Sequence, residues 1–117
     1  MSNQSQYLLK PSQVATLLGM LGLLALAAPS ALADDGQALA TKNQCMTCHK
    51  IEGKQVGPAY KDVAAKYKGD PDAPDKLAAK VRTGGKGVWG QVPMPPNKKI
   101  SDDDLRTVVN WILSQGS

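Results

Sequence analysis

The 117-residue chain sets 14 Lys and Arg against 10 Asp and Glu, a formal charge of +4, and contains no Phe. Charges of both signs are interspersed and no basic run is interleaved with aromatic residues, which argues against a nucleic-acid-binding protein. A chain this short supports one small domain, and with so few aromatic side chains its core must be thin.

Lys10 precedes an apolar stretch from Val14 to Ala28, followed by Pro29-Ser30-Ala31-Leu32-Ala33. This is the organisation of a secretory signal peptide, and the small residues Ala31 and Ala33 place cleavage after Ala33. The apolar run is shorter than the ~20 residues that span a bilayer, which favours cleavage over a retained anchor and predicts no stable membrane insertion afterwards. Residues 1–33 are therefore expected to leave, and residues 34–117 to form a single domain in a bacterial periplasm. A domain of 84 residues ordinarily needs a staple or a cofactor to be stable.

The mature segment is expected to be all-α, four to five short helices with no strand pattern. Asp34-Asp35-Gly36 opens the first, which runs through Leu39 to Gln44; the acidic pair suits the positive end of the helix dipole. It leads into Cys45-Met46-Thr47-Cys48-His49, a C-x-x-C-H run, the attachment signature of a c-type haem. In a helical turn, residues three and four apart share a face, so Cys45, Cys48 and His49 project toward one object. Each thiol can add to one vinyl group of the macrocycle, leaving His49 as the proximal iron ligand. A structural zinc site needs four ligands, and these five residues hold both cysteines and the one histidine of the chain. A thioredoxin-like pair would follow a strand, and no strand-like alternation precedes Cys45.

A loop is predicted over 52–58. Residues 59–68 place Tyr60, Val63, Ala64 and Tyr67 at helical spacing, with Gly69 closing the helix. Residues 72–82 form another short helix, started near Pro74 and ended at Thr83-Gly84-Gly85, with Leu77 and Val81 inward. Residues 84–100 carry too many Gly and Pro for regular structure. Within them Met94 lies among Pro93, Pro95 and Pro96, which stiffen its backbone. Met1 and Met20 leave with the leader and Met46 is held between the anchoring cysteines, so elimination assigns Met94 to the distal face of the iron. A methionine filling a loop core is the bland alternative.

The last helix opens at the N-cap Ser101, with Asp102, Asp103 and Asp104 in its first turn. Leu105, Val108, Val109, Ile112 and Leu113 make one apolar stripe. Trp111 lies off the centre of that stripe, so it covers the side of the core or marks the contact with the first helix.

These motifs, together with Val56-Gly57-Pro58-Ala59-Tyr60, Gly87-Val88-Trp89-Gly90 and Pro93-Met94-Pro95-Pro96, resemble the small bacterial class I c-type cytochromes, specifically the cytochrome c-551/552 group. The resemblance covers almost all of residues 34–117. It implies that the Pro58 carbonyl accepts from the second ring nitrogen of His49, that Trp89 donates to a haem propionate, and that Asn97 supports the Met94 sulfur. Where some members carry an Arg facing a propionate, this chain has Lys80, a point charge without the planar fork, and solvated surface is the alternative for it. Arg82, two residues on, does not share the helix face of Lys80.

With His49 and Met94 on opposite faces the iron has no open position, and the expected function is outer-sphere transfer of one electron between redox proteins of a respiratory chain. The alternative class is a haem peroxidase or a gas-binding haem protein with a displaceable sixth ligand, but no second His is present to serve a distal site. The expected carrier is monomeric, not an enzyme, and docks at its haem edge through Lys42, Lys50, Lys54, Lys86, Lys98 and Lys99.

Overall fold

A computed structural model describes residues 31–117; most of the predicted leader lies outside the described residues. Four α-helices run in order: α1 (Ala31–Lys42), α2 (Tyr60–Lys66), α3 (Ala73–Thr83) and α4 (Asp102–Ser114). A single 3₁₀ turn, Cys45–Thr47, follows α1. Among the described residues there is no strand, only an isolated bridge between Gly85 and Met94, and no helix is long and apolar enough to cross a membrane.

Helix α4 is the hub, packing against each of the other three. Its start is fixed locally, since the Ser101 Oγ accepts from the Asp104 backbone N–H at 3.1 Å and three aspartates occupy the first turn. Its apolar stripe, Leu105, Val108, Val109 and Ile112, is buried with Ala40, Tyr60, Val63, Leu77 and Ile100 in one cluster. Trp111 joins that cluster and lies against Gly36 of α1, so close that a Cβ at Gly36 would overlap the indole. Both placements expected for Trp111 are found, burial in the core and contact with the first helix, the latter made possible by a glycine.

Helices α2 and α3 fall within two residues of their predicted bounds, the ordinary fraying of helix ends. Helix α1 differs more. It begins at Ala31, before the expected start at Asp34, and it stops at Lys42 rather than Gln44. Gln44 adopts a left-handed conformation, φ 62°, and turns the chain into the 3₁₀ segment, while the Asn43 side chain donates to the Leu39 carbonyl at 2.9 Å.

Candidate functional site

The turn over the cysteine motif continues through its histidine. The N–H groups of Cys48 and His49 both donate to the Cys45 carbonyl, at 3.2 and 3.0 Å, so Cys45, Cys48 and His49 belong to one helical turn. Both thiols are half-buried and unbridged. Among the described residues no three His, Cys, Asp or Glu side chains are grouped as a metal-binding cluster. Burial pushes the Cys45 thiol above its ordinary value, so the folded packing depletes its thiolate. Met46, between the cysteines, packs against the hydrophobic core.

His49 is held on three sides. Its Nδ1 lies 2.8 Å from the Pro58 carbonyl. A carbonyl can only accept, so Nδ1 carries the proton and Nε2 keeps its lone pair for a metal. One ring face stacks on Tyr60, with centroids 5.2 Å apart and planes 15° from parallel. Gly57 also abuts the ring: a Cβ there would lie 2.5 Å from Cε1, 2.8 Å from Nδ1 and 3.0 Å from Nε2. The loop bringing Gly57 and Pro58 to this place is tied back by Gly57 N–H to the Cys48 carbonyl and Tyr60 N–H to the Lys50 carbonyl, each 2.8 Å. Tyr60 in turn meets the edge of Trp111 at 5.3 Å, which joins the imidazole to the core of α4. Burial, followed by the nearby Cys45 and Cys48, raises the Tyr60 phenol and keeps it neutral. Sequence reasoning placed Tyr60 at helical spacing and counted Gly57 and Tyr60 in a motif of the resemblance, but gave neither a contact with His49. The contiguous Gly57-Pro58-Ala59-Tyr60 run was the available signal.

Met94 lies on the loop between α3 and α4, and both legs of that loop are anchored. Gly84, with φ 67°, ends α3 by donating to the Lys80 carbonyl at 2.7 Å, and the carbonyl of Met94 sits where its Cβ would be. Gly85 and Met94 exchange two backbone hydrogen bonds, at 3.0 and 2.9 Å. Beyond Pro95 and Pro96, the Asn97 N–H donates to the Val81 carbonyl at 2.8 Å. The Asn97 Oδ1 accepts from the N–H groups of Lys99 and Ile100, at 3.1 and 3.2 Å. Its oxygen is thus committed to the backbone, and its NH₂ group is the donor left for another partner.

The two basic residues at the end of α3 part company. The Lys80 ammonium lies beside Gly85, at the root of the Met94 loop. Arg82 turns to the start of α4, donating to the Ile100 carbonyl at 2.5 Å and to Asp102 at 2.6 Å. Trp89 is partly exposed, and the Lys66 ammonium stands 5.6 Å from its ring centroid. Val56 on the histidine-side loop, and Val88 and Val92 on the methionine-side loop, are half exposed or more. Paired thiols, an imidazole with Nε2 available, and apolar side chains offered to solvent by both loops fit a covalently held haem. The six lysines expected at the haem edge are all exposed.

Residues 33–116 match the Cytochrome c family. The chain is similar to a cytochrome c-551 of Allochromatium vinosum, 59% identical over 86 residues that cover 74% of this chain and 89% of that protein. It is similar to a cytochrome c-551 of Pseudomonas aeruginosa, 48% identical over 99 residues that cover 85% and 94%. In three dimensions it is similar to the crystal structure of wild-type cytochrome c552 of Nitrosomonas europaea, with a TM-score of 0.65 at 52% identity, covering 68% of this chain and 98% of that one.

Proposed function

The chain belongs to the cytochrome c family and is a mono-haem electron carrier with one covalently bound c-type haem, and from that premise we propose that His49 and Met94 close both axial positions of its iron. The observation that carries this reading is the bracing of Met94, its backbone bonded twice to Gly85 and flanked by three prolines. A backbone braced in that way is suited to keep its thioether a ligand through both oxidation states. When bound, the haem supplies a one-electron ferric/ferrous couple, whose potential a methionine ligand raises.

The chain's own residues do the rest. Cys45 and Cys48 hold the macrocycle edge through thioether bonds. His49 presents Nε2, and its Nδ1–H bond to Pro58 fixes the tautomer and makes the imidazole a better donor to the metal. Tyr60 and Gly57 keep the ring from turning. Asn97 offers its NH₂ group to the Met94 sulfur, while Trp89 and Lys80 serve the propionates. Because Arg82 is engaged with Ile100 and Asp102, Lys80 is the basic residue of this helix end that is free for that task.

With His49 and Met94 both bound to iron no site would remain for a substrate, and the haem would supply one-electron exchange with redox proteins of a respiratory chain. The mature carrier comprises residues 34–117, is monomeric, acts in the periplasm after cleavage behind Ala33, and docks through its exposed lysines on acidic partner faces. Absorption spectra of the oxidised and reduced protein with added carbon monoxide test the reading. A low-spin spectrum that resists the gas is expected; prompt carbon monoxide binding would move the assignment to a peroxidase or gas-binding protein.

A further inference from the structure

The return leg of the Met94 loop is held to the end of α3 at three successive points. Met94 is bonded to Gly85, Asn97 to the carbonyl of Val81, and Ile100 to the side chain of Arg82. The first two are bonds between backbone groups, the first of them at Gly85, whose φ of 132° favours glycine. The third depends on the identity of residue 82. Ile100 is buried, and both of its backbone groups are committed, the N–H to Asn97 Oδ1 and the carbonyl to Arg82. Between Asn97 and Met94 stand only Pro95 and Pro96, whose fixed φ leaves the segment little freedom to absorb a displacement.

We propose that Arg82 is a positioning residue for the sixth ligand: by gripping the Ile100 carbonyl it holds Asn97, and through the two prolines it keeps Met94 seated. This rests on the ligation of iron by Met94 proposed above. The grip on Ile100 matters more than the ion pair, because the Asp102 side chain is 92% exposed and solvent screens it, whereas Ile100 is 4% exposed. Loss of a charge-assisted hydrogen bond to a buried carbonyl is then felt as easier opening of the loop.

The test uses the full haem-loaded protein in its oxidised state and imidazole as the probe, since imidazole binds iron only when Met94 leaves. Wild type, Arg82→Met, Arg82→Lys and Asp102→Asn are titrated, following loss of the methionine-to-iron charge-transfer band, with helix content measured in parallel. Arg82→Met is expected to bind imidazole about tenfold to a hundredfold more tightly, and Asp102→Asn within about twofold of wild type. Should Arg82→Met lose its helical signal, Arg82→Lys carries the comparison, with an expected shift of about threefold because the charge remains while the fork is lost. Unchanged imidazole affinity in the folded Arg82 variant, with the band present, overturns the proposal. So does an Asp102→Asn effect equal to that of Arg82→Met. A wild-type protein without the band, or a Met94→Ala variant that keeps it, overturns the ligation on which the proposal rests.

Discussion

Replacing Gly57 by alanine tests whether the proximal imidazole is held by direct contact. The added methyl would stand 2.5 Å from Cε1, 2.8 Å from Nδ1 and 3.0 Å from Nε2 of His49, where ordinary contact is about 3.5–4.0 Å. The ring cannot retreat freely. Its Nδ1 is bonded to Pro58, its face is stacked on Tyr60, and Tyr60 is backed by Trp111. Gly57 cannot retreat either without straining the bond from its N–H to Cys48. Overpacking costs ~1–3 kcal/mol, and a weakened His49–Pro58 bond adds ~1 kcal/mol, so a loss of about 2–4 kcal/mol is expected. In a domain of this size that lowers Tm by roughly 10–30 °C. Thermal melts of the haem-loaded protein, followed by helical circular dichroism and by haem absorbance, measure it. Gly53→Ala is the control, because Gly53 has φ 75° and open space around it, so alanine there meets only backbone strain of about 1–2 kcal/mol. A Gly57→Ala protein melting no lower than Gly53→Ala would refute the contact.

Ser101→Ala should remove the cap of α4 and lower stability by ~1 kcal/mol, seen as a fall in Tm of about 4–8 °C; an unchanged Tm would contradict the cap's role. Asp70 is held below its ordinary carboxylate value, first by the hydrogen bond from Lys76 and then by the backbone N–H of Asp72. A depressed folded value means stability that is present above the unfolded pKa and is lost as pH falls through the folded one, so Asp70→Asn should flatten the denaturant midpoint's slope between about pH 6 and 2. A slope identical to wild type would count against that pair. If Lys98 and Lys99 steer docking, the association rate with an acidic redox partner should fall as salt is added and fall further in Lys98→Glu/Lys99→Glu; indifference to ionic strength would remove the steering argument.

Helix α4 was legible because every level agreed on it: the Ser101 cap, the acidic first turn and the apolar stripe all specify the same start, end and inward face. The haem motif was legible for a different reason, namely that both cysteines and the one histidine of the chain fall within five residues at the attachment spacing. The placement of Lys80 and Arg82 on different faces followed from their spacing. Which of them met α4 did not, since that depends on a contact 20 residues away, between Arg82 and Asp102. The end of α1 was illegible because a glutamine in the left-handed region carries no sequence signal of the kind that a glycine gives. Tyr60 against His49, and Gly57 beside it, were missed because a stacked ring satisfies the same apolar periodicity as a core position. Periodicity tells which face is buried, not what lies against it.

The central claim is that Met94, and not Met46, is the sixth ligand of a closed site. The measurement that tests it most directly is the methionine-to-iron charge-transfer band of the oxidised protein, recorded for wild type, Met94→Ala and Met46→Ala. Met46 packs against the core between the cysteines, whereas Met94 stands on a loop braced by its two bonds to Gly85. The band is predicted in wild type and in Met46→Ala, and its loss in Met94→Ala, with carbon monoxide then binding the reduced variant readily. A band that survives Met94→Ala, or that wild type never shows, would contradict the account.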